Sequence, residues 1–218
     1  MSWNGTRGHT AARAQRSLMS IKTFTPEALR DLGTTAALVP SSRYLTRAML
    51  APLPLEAARC VVEFGPGTGA MTRPVLELLP AEATLLAFEI NPRFCDYLRR
   101  TVSDPRLAVV CGSAERLPDE LAVRGLRRVD AALSSLGLTT MEKPLRDIIL
   151  RRLVDSMAPD GVFTQFQYLH GLLAYFQPSN GHLERFTALG FLERYFREVS
   201  AELILLNIPP AIVLTGRR

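Results

Sequence analysis

One short stretch decides the fold of this chain, Glu63-Phe64-Gly65-Pro66-Gly67-Thr68-Gly69. It follows an apolar, β-branched run over 59–64 that predicts a buried strand, and it leads into a helical pattern over 69–79. Gly65 and Gly67 can adopt backbone angles that other residues avoid, and they let a ligand approach the main chain closely. A glycine turn between a buried strand and a helix predicts a ligand crevice at the end of that strand.

Outward from this stretch, strand-like and helix-like segments alternate. The predicted strands are 59–64, 84–89, 107–111, 130–134, 162–168, 198–206 and 211–216. The predicted helices are 43–53, 69–79, 92–102 and 143–157, and Asp160-Gly161 predicts a turn. This alternation predicts an α/β fold, with a doubly wound, mostly parallel, Rossmann-like sheet of seven strands.

Two regions fall outside the alternation. Residues 1–36 contain helical pieces and predict a helical extension, separate from a main domain over 37–218. Residues 169–194 form a long connection between the fifth and sixth strands, and a connection of that length is usually functional or contains its own helix.

An acid follows the second predicted strand. Glu89 lies twenty residues after Gly69, where a carboxylate can accept hydrogen bonds from both hydroxyls of a ribose. Strand, glycine turn, helix, strand and terminal acid in this order predict a cofactor that contains adenosine. The competing interpretation is a tight structural turn with an unrelated surface Glu.

The spacing of the glycines distinguishes between two adenosine cofactors. A dinucleotide loop runs G-x-G-x-x-G and packs a pyrophosphate on the helix, whereas here the glycines run G-x-G-x-G after Glu63. The carboxylate of Glu63 would repel a pyrophosphate, but it suits the amino group of a methionine moiety. The sequence therefore predicts S-adenosyl-L-methionine as the cofactor.

These residues resemble the class I methyltransferases, whose first motif is an acid followed by G-x-G-x-G. Gly112-Ser113-Ala114-Glu115 is similar to their adenine-contact segment, with Ser113 where Asp is frequent. The resemblance implies cofactor contacts from Glu63, Gly65, Pro66, Gly67, Gly69, Glu89, Ile90, Ser113, Ala114, Glu115, Ser134 and Ser42. No metal site is expected, because the three cysteines include no C-x-x-C pair.

A closer resemblance, over about 35–218, is to the soluble bacterial phospholipid N-methyltransferases. The segments that carry it are 39–45, 62–72, 94–95, 134–136, 163–168 and 207–211, while Gly137 stands where that family usually has proline. The resemblance implies a phospholipid acceptor, with phosphatidylethanolamine methylated stepwise toward phosphatidylcholine.

Three residues are candidates for catalysis. The end of the fourth strand faces the transferred methyl group in this fold, so that Ser135 or its carbonyl can orient the amine. Tyr168 and His170 follow the fifth strand and are candidates for a base or a hydrogen-bond acceptor. The alternatives are a rim aromatic for Tyr168 and an ordinary loop histidine for His170. Ser41 or Ser42 is expected to cap the helix that follows, and the resemblance implies that the segment Pro40-Ser41-Ser42 also forms a lid over the cofactor.

The positive charge lies at one end of the chain. Residues 1–50 hold seven basic and two acidic residues, and the rest of the chain holds nineteen of each. A basic arm on a neutral body suggests an anionic partner, either a membrane or a nucleic acid, the alternative being a solvated leader. Because the resemblance implies a phospholipid acceptor, we expect this arm to dock on an anionic membrane surface. No leader peptide or membrane-spanning run is evident, so we expect a cytoplasmic, peripherally membrane-associated protein.

Three rival functions remain. An rRNA adenine dimethylase-like enzyme would carry Asn or Asp, two prolines and an aromatic after the fourth strand, where this chain has Ser134-Ser135-Leu136-Gly137, so nucleic acid is not the expected partner. The second rival is a methyltransferase for an ornithine lipid, another small amine or an oxygen acceptor. The third is a non-catalytic cofactor-binding module. The sequence does not determine an oligomeric state.

Overall fold

The computed structural model describes residues 42–169, 175–179 and 182–218, and for 175–179 and 182–186 it describes the backbone alone. The N-terminal arm over 1–36 and the predicted catalytic residue His170 lie outside the described residues. All described residues belong to one compact unit, Pro40–Arg218.

Seven strands form the main sheet, and their order indicates where a ligand would bind. The strands of the described chain are β1 (Cys60–Phe64), β2 (Thr84–Glu89), β3 (Leu107–Cys111), β4 (Val129–Ser134), β5 (Met157–Tyr168), β6 (Tyr175–Ser179), β7 (His182–Phe186), β8 (Glu198–Ile204) and β9 (Ala211–Arg217). The main sheet has the order β3-β2-β1-β4-β5-β9-β8, and β6 pairs with β7 in a separate hairpin. Strands β1 to β5 run parallel, while β9 runs antiparallel to both β5 and β8. Since chain order reverses beside β1, the ligand crevice is expected beyond its carboxyl end.

Helices cover both faces of the sheet. They are α1 (Arg43–Leu50), α2 (Thr72–Leu78), α3 (Pro92–Thr101), α4 (Leu117–Val123), α5 (Lys143–Ser156) and α6 (Ala188–Leu192). On one face, α1 and α2 pack against side chains such as Val61, Leu85 and Val213. On the other face, α4, α5 and α6 pack against strand residues whose side chains point the opposite way, such as Val62 and Phe163. Because side chains alternate along a strand, each continuous apolar run serves both cores. The predicted fold is confirmed.

Several predicted boundaries are wrong. The helix expected from Gly69 begins at Thr72, because Gly67 and Gly69 have φ values of 55° and 86°, which a right-handed helix excludes. The helix expected to run to residue 157 ends at Ser156, so that Met157 opens β5. The predicted turn at Asp160-Gly161 lies inside β5, where the register against β4 shifts.

The remaining differences concern length and connections. Helix α1 ends at Leu50 rather than residue 53, and β8 ends at Ile204 rather than residue 206. Helix α4 was not predicted. The long connection over 169–194 does contain its own helix, α6, together with the β6–β7 hairpin. No helix in the described part of the chain is long and apolar enough to cross a membrane.

Candidate cofactor and acceptor site

Two carboxylates lie on the same face of the sheet at the carboxyl edge. Glu63 is paired in register with Ala87 of β2, two residues before Glu89, so both acids project toward the face that α2 covers. Both side chains are buried. They are close enough that the charge of Glu89 raises the pKa of Glu63. The two acids that the sequence singled out therefore lie near each other at one edge of the sheet.

The environment of Glu63 fits a cationic ligand group. Burial raises its pKa to about 7, a hydrogen bond from Thr72 opposes that rise, and the charge of Glu89 adds to it. Thr72 Oγ1 donates to Glu63 Oε2 at 2.7 Å, while Oε1 is buried with no hydrogen-bond partner among the described residues. A buried carboxylate oxygen without a partner is costly, and a cationic ligand group placed beside Oε1 would supply that partner.

The glycine turn lies close to the residues that follow β4. Gly65 has a φ of 73°, and its backbone N–H donates to the carbonyl of Phe88 at 2.9 Å. A Cβ at Gly65 would lie 3.3 Å from Leu136 Cδ2 and 3.8 Å from Ser135 Cβ. The turn thus packs against the loop that follows β4, Ser135 and Leu136, which we call the β4 loop.

Glu89 is held by the loops on either side of it. Its Oε2 accepts from the backbone N–H of Gly67 at 3.1 Å, and its Oε1 accepts from that of Asn91 at 2.8 Å. Each carboxylate oxygen has a second lone pair, so both can still accept from a ribose hydroxyl. The acid therefore ties the glycine turn to the start of α3 and keeps the acceptor capacity that a nucleoside needs.

The predicted adenine-contact segment turns directly after β3. Ser113 Oγ accepts from the backbone N–H of Glu115 at 3.4 Å and so caps a 3-10 turn over Ala114–Arg116. Gly112 donates to the carbonyl of Glu89 at 2.8 Å, which brings this segment beside the second strand. Ile90 projects into solvent next to Glu89. These residues line the same edge as the carboxylates.

The end of β4 lies directly across from the glycine turn. Ser135 N–H donates to the carbonyl of Phe64 at 2.9 Å, and the buried Ser134 Oγ accepts from the N–H of Leu136 at 3.2 Å. Gln165 of β5, a residue that the sequence reasoning missed, donates through Nε2 to the carbonyl of Leu136 at 3.0 Å. It lies opposite Ser134 in the β4–β5 register, a relationship between two strands that no local sequence pattern shows. Gln165 thereby fixes the loop that follows β4.

Tyr168 lies farther along β5, paired with Ala211 of β9. Its ring packs edge-on against Phe166 with 5.4 Å between centroids, on the face that α1 covers. Burial raises the pKa of the Tyr168 phenol above its ordinary value. The structure therefore describes a neutral, half-buried phenol at the carboxyl edge, while the position of His170 lies outside the described residues.

Ser42 and Asn207, which belong to separate segments of the sequence pattern, contact each other. Ser42 Oγ accepts from the N–H of Leu45 at 3.2 Å, which confirms the predicted N-cap of α1. Ser42 N–H donates to Asn207 Oδ1 at 3.1 Å, and Asn207 Nδ2 donates to the carbonyl of Pro209 at 2.7 Å. The start of α1 is thereby fastened to the β8–β9 turn.

Comparisons with known proteins agree with this geometry. A family model described as a methyltransferase domain matches residues 61–161, which run from β1 into β5. The O-methyltransferase of Bacillus cereus, solved in complex with SAH, has the same fold, with a TM-score of 0.62 and 12% identity over 95% of this chain and 96% of that one.

Two curated relatives differ in how much of the chain they match. An ornithine lipid N-methyltransferase from Singulisphaera acidiphila is 29% identical over 177 residues, 81% of this chain and 84% of the relative. A ribosomal RNA small subunit methyltransferase H from Aromatoleum aromaticum is 35% identical over only 74 residues, 34% of this chain and 23% of the relative. The lipid enzyme is therefore similar over about four-fifths of this chain, and the RNA enzyme over about a third.

Proposed function

We propose that this chain, which is a class I S-adenosylmethionine-dependent methyltransferase, transfers the methyl group of its cofactor to the amine of a membrane-lipid head group. The observation that carries the proposal is the likeness to the ornithine lipid N-methyltransferase, which extends over 84% of that relative. Our predicted acceptor is phosphatidylethanolamine, and ornithine lipid is the alternative. Both present an amine beside acyl chains.

Different residues at the carboxyl edge would bind different parts of the cofactor. S-adenosylmethionine supplies a methyl group that is activated by its attachment to a sulfonium sulfur. We assign Glu63, through its unpartnered Oε1, to the amino group of the cofactor, and Glu89 to the ribose hydroxyls. The glycine turn would lie against the cofactor without any side chain to block it. The residues that would border the adenine are Ser113, Ala114, Glu115 and Ile90.

The β4 loop faces the acceptor. In-line transfer requires the nitrogen and the methyl carbon to be held about 3–3.5 Å apart, so the loop must be rigid. Ser135 is anchored through its N–H to Phe64, and Gln165 holds the carbonyl of Leu136. We assign Ser135 to orient the amine and Gln165 to position the loop.

The acceptor must reach the site as a free amine. A raised pKa keeps the Tyr168 phenol protonated at neutral pH, so it suits a hydrogen bond to the amine better than removal of a proton. Proton removal then falls to His170 or to solvent, since a histidine titrates near neutral pH.

RNA methylation is less well supported. The ribosomal RNA methyltransferase matches 34% of this chain, and the chain spans less than a quarter of its length. The site loop, Ser134-Ser135-Leu136, offers neither the side-chain amide nor the aromatic ring that would hold a flipped base.

Labelled cofactor tests the proposal. The protein is incubated with S-adenosylmethionine carrying a labelled methyl group and with vesicles that contain phosphatidylethanolamine, ornithine lipid or phosphatidylcholine alone, and the lipids are then separated. We expect label in a lipid with a methylatable amine and none with phosphatidylcholine alone. Label in added ribosomal RNA and none in either amine lipid would refute the proposal, and Glu89→Ala serves as the inactive control.

A further inference from the structure

An exposed apolar surface lies at the turn between β8 and β9. No charged residue occurs from Leu203 to Gly216. Within this stretch four large apolar side chains are exposed, and we call them the apolar tip: Leu203 (51% exposed), Leu205 (66%), Leu206 (65%) and Ile208 (85%). Single exposed apolar residues are ordinary, whereas four within six residues of one turn make a candidate site of interaction.

The apolar tip lies at the edge of the sheet that carries the site. Ile204, which ends β8, and Tyr168, which ends β5, both pair with Ala211 at the start of β9. Leu169 continues the pairing by donating its N–H to the carbonyl of Pro210 at 2.8 Å. Because β5 is parallel to β1, the turn over 205–210 projects beyond the same carboxyl edge as the glycine turn and the β4 loop.

The apolar tip is held in place by buried hydrogen bonds, and a cationic side chain lies near it. Asn207 is buried and bonds to Ser42 and Pro209, so it points inward while the leucines on its amino side point outward. Next to Ser42, the exposed Arg43 holds its guanidinium 4.9 Å from the ring of Tyr44, which is itself exposed. An aromatic and a cation beside apolar side chains suit the interface of an anionic bilayer. The basic N-terminal arm precedes this point in the sequence.

We propose that the apolar tip inserts into the surface of an anionic lipid bilayer and thereby turns the carboxyl edge of the sheet toward the lipid head groups. This inference rests on the proposed function, since a lipid acceptor gives the edge a reason to face a membrane. Leu205, Leu206 and Ile208 bury their side chains among the acyl chains, while Arg43 pairs with lipid phosphates. The tip thus belongs to substrate access and takes no part in cofactor binding.

Flotation of the full chain with vesicles of phosphatidylcholine and phosphatidylglycerol tests the tip. We expect Leu205→Ser with Leu206→Ser to reduce the vesicle-bound fraction at least about tenfold, since two leucines lose their burial. The matched control is Leu78→Ser with Val123→Ser, because these apolar residues are also exposed but end helices α2 and α4. The control should bind like the unaltered protein. Equal binding by the tip variant, or no vesicle binding by the unaltered protein, would overturn the proposal.

A fluorescent probe identifies the occupant of the tip. The exposed Cys111 is first replaced by Ser, and a polarity-sensitive dye is attached through Leu206→Cys or, as a control, Val123→Cys. We expect vesicles to shift the emission of the tip probe to the blue and to leave the control unchanged. A tip probe already blue-shifted without vesicles would show that a second copy or the N-terminal arm covers it, and would overturn the proposal.

The two proposals fail in different ways. Cofactor affinity and methylation of a short-chain lipid below its micelle concentration need no membrane, so both should be unaffected by the tip variant. If vesicle binding depends on the tip but no lipid amine is methylated, the proposed function is refuted. The proposed docking surface is then still supported.

Discussion

Asn207 joins two segments of the chain that lie 165 residues apart, since its Oδ1 accepts the backbone N–H of Ser42 at 3.1 Å. The same side chain donates to the carbonyl of Pro209 at 2.7 Å and is buried. One amide thus connects the first turn of α1 with the β8–β9 turn. The sequence alone does not predict that these two segments contact each other.

Removal of this amide should destabilise the fold. In Asn207→Ala the N–H of Ser42 and the carbonyl of Pro209 each lose a buried partner, which we expect to lower the free energy of unfolding by about 1–3 kcal/mol. Urea denaturation measures the loss. Glu202→Ala, at an exposed position of β8, is the control and should change little. If the two variants were equally stable, the Asn207 contacts would contribute nothing measurable.

Glu63 should make the stability of the cofactor-free protein depend on pH. Its folded pKa, about 7, lies above the ordinary value of 4.5, so the folded state binds the proton more tightly than the unfolded state between these values. Stability is therefore greatest at the acid end of this window and falls as pH rises toward 7. We expect Glu63→Gln to match the unaltered protein near pH 5 and to exceed it by a few kcal/mol at pH 8.

Denaturation at several pH values checks this prediction, with Glu77→Gln as the control, since Glu77 is exposed on α2. Because the side-chain amide in Glu63→Gln can still accept a hydrogen bond from Thr72, the comparison isolates the buried charge. A stability difference that stayed constant from pH 5 to pH 8 would contradict the raised pKa.

Cofactor binding should release a proton near pH 6. Below a pKa of about 7 the Glu63 carboxyl is largely protonated, and an amino group placed at Oε1 would favour the charged form. Calorimetric titration in buffers of different ionisation enthalpy measures the protons released. Glu63→Gln should bind more weakly and release fewer protons. Identical heats in every buffer for the unaltered protein would show that Glu63 does not pair with the cofactor.

Glu89→Gln should weaken cofactor affinity by roughly 10- to 100-fold, because charge-assisted hydrogen bonds contribute about 1.5–3 kcal/mol. Both oxygens of Glu89 accept backbone N–H groups, so the amide nitrogen of a glutamine would meet a donor at Gly67 or Asn91. Calorimetry measures the dissociation constant of the cofactor for each variant. Glu77→Gln, the same substitution at an exposed acid, is the control and should leave the affinity unchanged. Unchanged affinity would remove Glu89 from the cofactor site.

The sequence predicts the framework of this site well and its contacts poorly. The order of strands and acids follows from apolar runs and the glycines that end them, which are local signals. The position of Glu63 and Glu89 at one edge of the sheet then follows from the parallel topology. Gln165 and Asn207 act through partners distant in sequence, the β4 loop and the start of α1, so no local pattern announces them. Helix α2 starts late because Gly67 and Gly69 have positive φ values, and a glycine in a sequence does not show by itself which sign its φ will take.

Gly69 offers a test of how much the turn depends on glycine. Its φ is 86°, and an added Cβ would lie 2.9 Å from Leu98 Cδ2 of α3, so Gly69→Ala combines backbone strain with a steric clash. Gly125 has a φ of 66° and nothing within 4 Å of an added Cβ, so Gly125→Ala carries the strain alone. We expect Gly125→Ala to lower the free energy of unfolding by about 1–2 kcal/mol and Gly69→Ala to lower it further. Only Gly69→Ala should also weaken cofactor binding, because only Gly69 belongs to the turn on which we propose that the cofactor lies. Equal losses of stability and unchanged affinity in both variants would mean that Leu98 moves aside and that the turn tolerates a side chain.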